Sequence, residues 1–243
     1  MKAIEQQIMS KHLEKTFLDI LHSIGKSGEL EVVNNTIISY LKLLVDMTNN
    51  NCNRIIELGC GSGHLALLLL QHFKSVEIIS IDNSDKMIND AFQKIFDYDK
   101  SLCERIKFIE CDLSSYDSLN KNLLEFDYAD VIVSSLTLHH ILPNRKAKLF
   151  KQLHEVLSKK GFFINGDIYK GANKQTESLY RNIWDFKLKQ DFSEKELQKR
   201  KEHRTFESPT TMKLEKEYLM QSGFSSVSAL WKELIFGVLL AVK

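Results

Sequence analysis

The residues best suited to chemistry here are a glycine run, Glu57-Leu58-Gly59-Cys60-Gly61-Ser62-Gly63, followed by acids and histidines further along the chain. Glycines at alternate positions permit backbone torsions barred to other residues and leave main chain bare for a ligand. The Leu-rich stretch His64 to Phe73 follows at once, so a helix would present unpaired N–H groups and a positive dipole end just past the turn. A turn of this kind at the end of a parallel strand is where open α/β sheets bind nucleoside-containing cofactors. A dinucleotide fingerprint, G-x-G-x-x-G, places its third glycine on His64 or on Ala66 depending on the start, which weakens a nicotinamide reading. No Gly-Lys-Ser/Thr follows, so this is not a P-loop.

Two acids stand where strands should end. Asp82 closes the apolar run Val76 to Ile81, about 20 residues past the glycines, a position suited to accepting both hydroxyls of a ribose. It could also cap the next helix, but Asn83, Ser84 and Asp85 are caps at hand. Asp112, after Arg105 to Glu110, suits the exocyclic amine of a purine as well as it suits a turn before Ser114-Ser115. His139 and His140 follow the run Asp130 to Ser135, and His is the side chain best able to take a proton near neutral pH. Each is equally a packed or capping His beneath the Pro143 helix, and Asp167 is a third candidate base or a turn residue beside Gly166.

The elements that must position these groups follow from periodicity. Short β-branched runs alternate with helical faces such as Met87, Ile88, Ala91, Phe92, Ile95 and Phe96, which predicts βαβ units and a parallel sheet. Residues 3–24 and Leu30–Met47 predict two helices before the first strand, residues 1–50 forming a cap over a core at 54–168. Lys159-Lys160-Gly161 predicts a helix end, with the fifth strand starting at Phe162. Residues 173–208 predict a polar helical insertion whose Tyr180 and Trp184 either form a lid or are the stripe of a packed helix. A helix from Ser208-Pro209 and two antiparallel strands, Ser225–Trp231 and Leu234–Val242, complete one domain over 1–243.

A formal net charge of +1 across 243 residues gives no field toward nucleic acid or membrane. Leu65–Leu70 is far too short to span a bilayer, and no signal peptide is read at the N-terminus. Cys52, Cys60, Cys103 and Cys111 form no C-x-x-C pair, which fits reduced thiols in a cytoplasmic protein.

Taken together the motifs resemble the class I S-adenosylmethionine (SAM)-dependent methyltransferases: Glu57 to Gly63, Ile81-Asp82-Asn83-Ser84-Asp85-Lys86-Met87, Glu110-Cys111-Asp112-Leu113, and Asp130 to His140. The resemblance implies a Rossmann-like seven-stranded, mostly parallel sheet with helices on both faces. It also implies methyl transfer from SAM to a small-molecule oxygen, nitrogen or carbon, with S-adenosylhomocysteine (SAH) as product. Gly59, Cys60, Gly61 and Gly63 would pass beneath the methionine part and Glu57 would organise its amino-group region. Asp82 would hold the ribose, Asp112 the adenine amine, and Ser134 would sit near the sulfonium, with Asn83, Met87, Cys111 and Leu113 as further cofactor-binding residues.

Residues 79–88 and the tail from Asp185 also resemble the carboxy-SAM synthases of transfer-RNA wobble-uridine modification, through Phe192-Ser193-Glu194, Gln198-Lys199-Arg200, Ser222-Gly223-Phe224, Trp231 and Phe236-Gly237. That resemblance implies a homodimer in which Arg200 clamps a carboxylate of the cofactor. The three-glycine turn and the His139-His140 pair depart from it. A SAM-binding protein without turnover is the remaining alternative.

Overall fold

The computed structural model describes residues 28–48, 52–115, 128–195, 197–198 and 207–243. Helix α1 (Glu29–Thr48) precedes strand β1 (Arg54–Leu58), helix α2 (His64–His72), β2 (Glu77–Asp82), α3 (Asp85–Tyr98) and β3 (Ile106–Glu110). After β4 (Ala129–Ser135) come α4 (Pro143–Val156), β5 (Leu157–Ile168), α5 (Lys174–Asp191), α6 (Met212–Gln221), β6 (Ser226–Glu233) and β7 (Phe236–Val242). The strands make a seven-stranded sheet in the order β3-β2-β1-β4-β5-β7-β6. Pairing is parallel from β3 to β5, and β7 lies antiparallel between β5 and β6. The order reverses between β1 and β4, which opens a crevice at their carboxyl ends.

The central strands are apolar on both faces because helices cover both. Ile55, Ile78, Val131, Val133 and Ile164 pack with α1 and α2, while Ile56, Ile132 and Phe163 pack with Phe150 and Leu153 of α4 and Leu219 of α6. Helix starts are set by capping side chains: Ser84 accepts from the Met87 N–H, Asn173 from Thr176 and Thr211 from Leu214. α1 is seated on β5 at Gly166, where any Cβ would overlap Val33 and Ile37. That close approach brings the α1 side chains down to the tip of the sheet.

Three boundaries differ from the sequence reading. α4 ends at Val156, and Lys159, Lys160 and Gly161 belong to β5, whose register against β4 shifts between Ala129 and Val131. The bulge absorbs residues that look like a helix end, since a bulge carries no periodicity of its own. α6 starts at Met212 rather than at Ser208-Pro209, because Lys170 holds the preceding segment extended, donating its N–H to the Thr210 carbonyl. The predicted helix over residues 3–24 and Arg200 lie outside the described residues.

The glycines divide their work. Gly63 caps α2 at φ 77°, and a Cβ on it would stand 2.8 Å from the Ala91 Cβ of α3. Gly63→Ala combines left-handed strain with overpacking and is expected to cost about 1–3 kcal/mol in denaturant unfolding. Gly28, with nothing within 4 Å of its Cβ position, should accept Ala within about 0.5 kcal/mol. Equal losses at the two sites would show that the α2–α3 approach is not tight.

Candidate functional site

β1 ends in a turn that is stitched to both neighbouring strands. The Gly59 and Cys60 N–H groups donate to the Ile81 carbonyl at 2.7 and 3.0 Å, and the Thr137 hydroxyl donates toward the Gly59 carbonyl at 3.2 Å. Gly59 has φ 71° and a Cβ there would strike Thr137, so its glycine is required by packing. Gly61 has φ 49° and nothing within 4 Å of its Cβ position, so it faces open space. That space is a cavity of about 430 Å³ at the carboxyl edge of β1, β2 and β4. Glu57, Gly59, Cys60, Gly61, Asp82, Asn83, Asp112 and Leu113 all line it.

Asp82 is wired as a turn organiser with capacity left over. One carboxylate oxygen accepts from the Gly61 N–H at 2.8 Å and the other from the Ser84 N–H at 3.0 Å. Each oxygen has a second lone pair, so two further donors can be accepted. Helix capping falls to Ser84 instead. Asp112 closes its own turn by accepting from the Ser114 N–H and hydroxyl at 2.8 Å each, while lining the cavity. The turn role is filled, and the residue also borders the cavity.

Glu57 is the electrostatic oddity of the site. It is 1 % exposed and accepts from the Ser80 hydroxyl at 2.5 Å. Burial pushes its carboxyl up to about 7, against the lowering effect of donors from Ser80 and the Ala66 backbone, and Asp82 adds to the rise. Burial and then Glu57 and Asp82 also push the Cys60 thiol up, which keeps it protonated and unreactive. On the rim, His64 lies 3.0 Å from the Lys94 ammonium, and burial followed by that neighbour lowers its pKa.

His139 and His140 diverge despite adjacency. Their 3₁₀ turn, Leu138–His140, buries His139 and aims its Nδ1 at the Asp167 carboxylate, 2.5 Å away. Asp167 is itself fully buried and accepts from the Ile168 N–H at 2.9 Å. Neither His139 nor Asp167 lines the cavity; His140 does, its ring centroid 4.1 Å from that of His139. The structure thus stacks a buried His–Asp pair behind the histidine that reaches the pocket.

Several expected contacts fall elsewhere. Ser134 points to the opposite face and donates to the Leu58 carbonyl at 3.2 Å; its neighbour Ser135 faces the cavity. Register explains the swap, since Glu57 pairs with Val133 and side chains alternate from there. Cys111 is buried in the core, Gly63 packs on Ala91, and Met87 is an exposed residue of α3, so none of the three lines the cavity. Tyr180 and Trp184 are no lid over it: Trp184 packs edge-on to Phe236 at 4.8 Å and Tyr180 lies under the Lys232 ammonium at 4.8 Å. Sequence reasoning missed Leu30 and Asn34 of α1 and the Ser135-Leu136-Thr137 turn, although Leu136 carries a signal in the structure, a positive φ of 47°.

A family model described as a methyltransferase domain matches residues 49–219. Over 248 residues the chain is 25% identical to the carboxy-S-adenosyl-L-methionine synthase of Nautilia profundicola, covering 99% of this chain and all of that protein. Among solved structures, an O-methyltransferase family protein from Burkholderia thailandensis superposes with TM-score 0.61 at 15% identity, over 88% of this chain and 59% of that one. The magnesium protoporphyrin IX methyltransferase of Synechocystis with bound SAH superposes with TM-score 0.57 at 17% identity, over 96% of each chain. With its crevice, its glycine turn and a profile match across most of its length, the chain belongs to the methyltransferase domain family.

Proposed function

We propose that this protein transfers the methyl group of SAM to a small-molecule acceptor, with His140 receiving a proton where the acceptor is a hydroxyl. The observation that carries the reading is the pairing of bare main chain at Gly61 with two acids on one cavity wall, Glu57 and Asp82. A fully buried carboxyl pushed up to about 7 wants a cation beside it, and the ammonium of an amino-acid group answers that need. Asp82 has lone pairs for two ribose hydroxyls, and Asp112 has the placement for an adenine amine. The residues present fit an adenosyl sulfonium.

Held with its amino-acid end at Glu57, its ribose at Asp82 and its adenine amine at Asp112, the cofactor would supply an electrophilic methyl with a neutral thioether as the leaving group. The chain's own part is to hold an acceptor in line at about 3–3.5 Å and to take its proton. That His140 lines the cavity supports this role, and the His139–Asp167 pair behind it braces the turn from which it projects. Asp167 and His139 are accordingly positioning residues.

Calorimetry with SAM tests the assignment. Asp82→Ala is expected to weaken binding at least about tenfold, the loss of one charge-assisted hydrogen bond or more. Melting of the ligand-free variant separates that effect from loosening of the Gly61 turn. Wild-type affinity in Asp82→Ala would show that the ribose is held elsewhere.

The full-length similarity to a carboxy-SAM synthase supports a second reading, in which the cofactor carries an additional carboxylate and the enzyme works near transfer-RNA wobble-uridine modification as a homodimer. Mass spectrometry of ligand retained through purification separates the two, because the cofactors differ by that carboxylate. Cytoplasmic residence is supported by four free cysteines, and no described helix is long and apolar enough to cross a membrane.

A further inference from the structure

Asn34 and Ser135 stand out among the cavity's polar groups because nothing in the described protein satisfies them. Asn34 is fully buried with both amide atoms lacking a hydrogen-bond partner, and the Ser135 hydroxyl is buried and equally unpartnered. Leaving buried donors and acceptors unpaired costs about 1–3 kcal/mol each, so such groups are kept where a ligand completes them. Both residues line the cavity. Their placement is enforced: α1 rides directly on Gly166, and the Ser135 turn is held by the Leu136 N–H donating to the Gly166 carbonyl at 2.8 Å. Leu136 accepts a left-handed φ of 47° in that turn, a strain that persists only where its surroundings demand it.

Asn34 lies before residue 49, where the match to the family model begins, and Ser135 lies inside it, at the end of β4. The chemistry of the pair says what they can read. An amide and a hydroxyl each donate and accept and carry no charge. A cationic group would favour Glu57 or Asp82, and an anionic one would be repelled by them. Leu30, Leu136 and Ile141 give the same cavity apolar wall beside these polar groups.

We propose that Asn34 and Ser135 form the acceptor subsite, reading an uncharged hydroxyl or primary amide on an otherwise apolar molecule. The proposal rests on the methyl-transfer reading above, and its test keeps the two apart. Protein loaded with SAH is titrated with phenol, benzamide, benzoate and benzylamine and followed by ligand-observed NMR. Phenol and benzamide should bind, while benzoate and benzylamine should not. Asn34→Ala and Ser135→Ala should each weaken the two neutral probes by about tenfold, one hydrogen bond's worth, with SAH affinity held within about twofold. Asn34→Leu, which fills the same volume without polar atoms, should lose the neutral probes and melt no lower than the wild type. Lower melting would make Asn34 a structural amide, and loss of SAH affinity with probes unaffected would assign it to the cofactor; either overturns the proposal. Failure of the wild type to bind SAH sinks the methyl-transfer reading, whereas SAH binding with indifferent or charge-preferring probes sinks the subsite alone.

Discussion

Glu57→Gln is expected to stabilise the ligand-free protein at pH 8 and to weaken its grip on SAM roughly 100-fold, as a charge-assisted contact of about 1.5–3 kcal/mol is lost. Both halves come from the same burial. In the fold the carboxyl titrates near about 7 against an ordinary 4.5, because desolvation outweighs the donors from Ser80 and Ala66. Since the folded pKa is raised, the group's contribution to stability is full below the unfolded value and is lost as pH rises through about 7. That gap, at about 1.36 kcal/mol per pH unit, burdens the ligand-free fold by about 3 kcal/mol at pH 8. Gln keeps an acceptor for the Ser80 hydroxyl but turns an N–H₂ on its other donor, so about 1–3 kcal/mol is recovered, or roughly 3–8 °C in melting temperature. Wild-type affinity for SAM should fall as pH drops from 8 to 6, because a protonated Glu57 no longer complements an ammonium, and the Gln variant should lose most of that slope. Equal wild-type affinity at the two pH values would remove Glu57 from the amino-acid end of the cofactor.

How far this site could be read from sequence depends on the range of the interaction that places each residue. Gly59, Gly61, Asp82 and Asp112 lie at strand tips within motifs whose spacing is local, and all of them reach the cavity. Ser134 and Ser135 could not be told apart, because β4 is buried on both faces and shows no alternation from which to read a face. Only the pairing of Glu57 with Val133 decides it. Asn34 sits among the core residues Val33, Ile37 and Ile38 of α1, and nothing local distinguishes it from an interior helix position. What makes it functional is the docking of α1 on Gly166, a contact between segments about 130 residues apart in sequence. Tyr180 and Trp184 stay open between lid and packed stripe until the tertiary contacts choose the stripe, since an aromatic stripe looks the same whether it covers a pocket or a sheet edge.

The sheet face behind the cavity carries the second large effect. Lys146 of α4 and Glu215 of α6 form an ion pair at 2.7 Å, with side chains 1% and 0% exposed. Glu215 also accepts from the Thr210 hydroxyl at 2.6 Å and from the Asn165 amide at 3.1 Å. Burial still raises its pKa, so attraction to Lys146 does not fully offset desolvation. Lys146→Met leaves that carboxyl buried beside two neutral donors, and the expected loss is about 3–5 kcal/mol in denaturant unfolding. The sign with pH follows from the raised pKa: the variant should be less impaired at pH 5.5 than at pH 8, because the unpaired carboxyl can then hold a proton. Lys146→Met with Glu215→Gln should regain more than half of the loss, since Gln presents an uncharged acceptor to Thr210 and Asn165. The consequence reaches the active site through a short chain of bonds. Thr210 accepts from the Lys170 N–H through its carbonyl, and two residues earlier the Ser208 N–H donates to the His139 carbonyl at 2.6 Å. Loosening the pair therefore frees the segment that braces the His139-His140 turn, and turnover should fall in Lys146→Met at temperatures where the protein remains folded, with SAM affinity unchanged. A variant that loses stability without that loss of turnover would show that the turn is held by the His139–Asp167 bond alone.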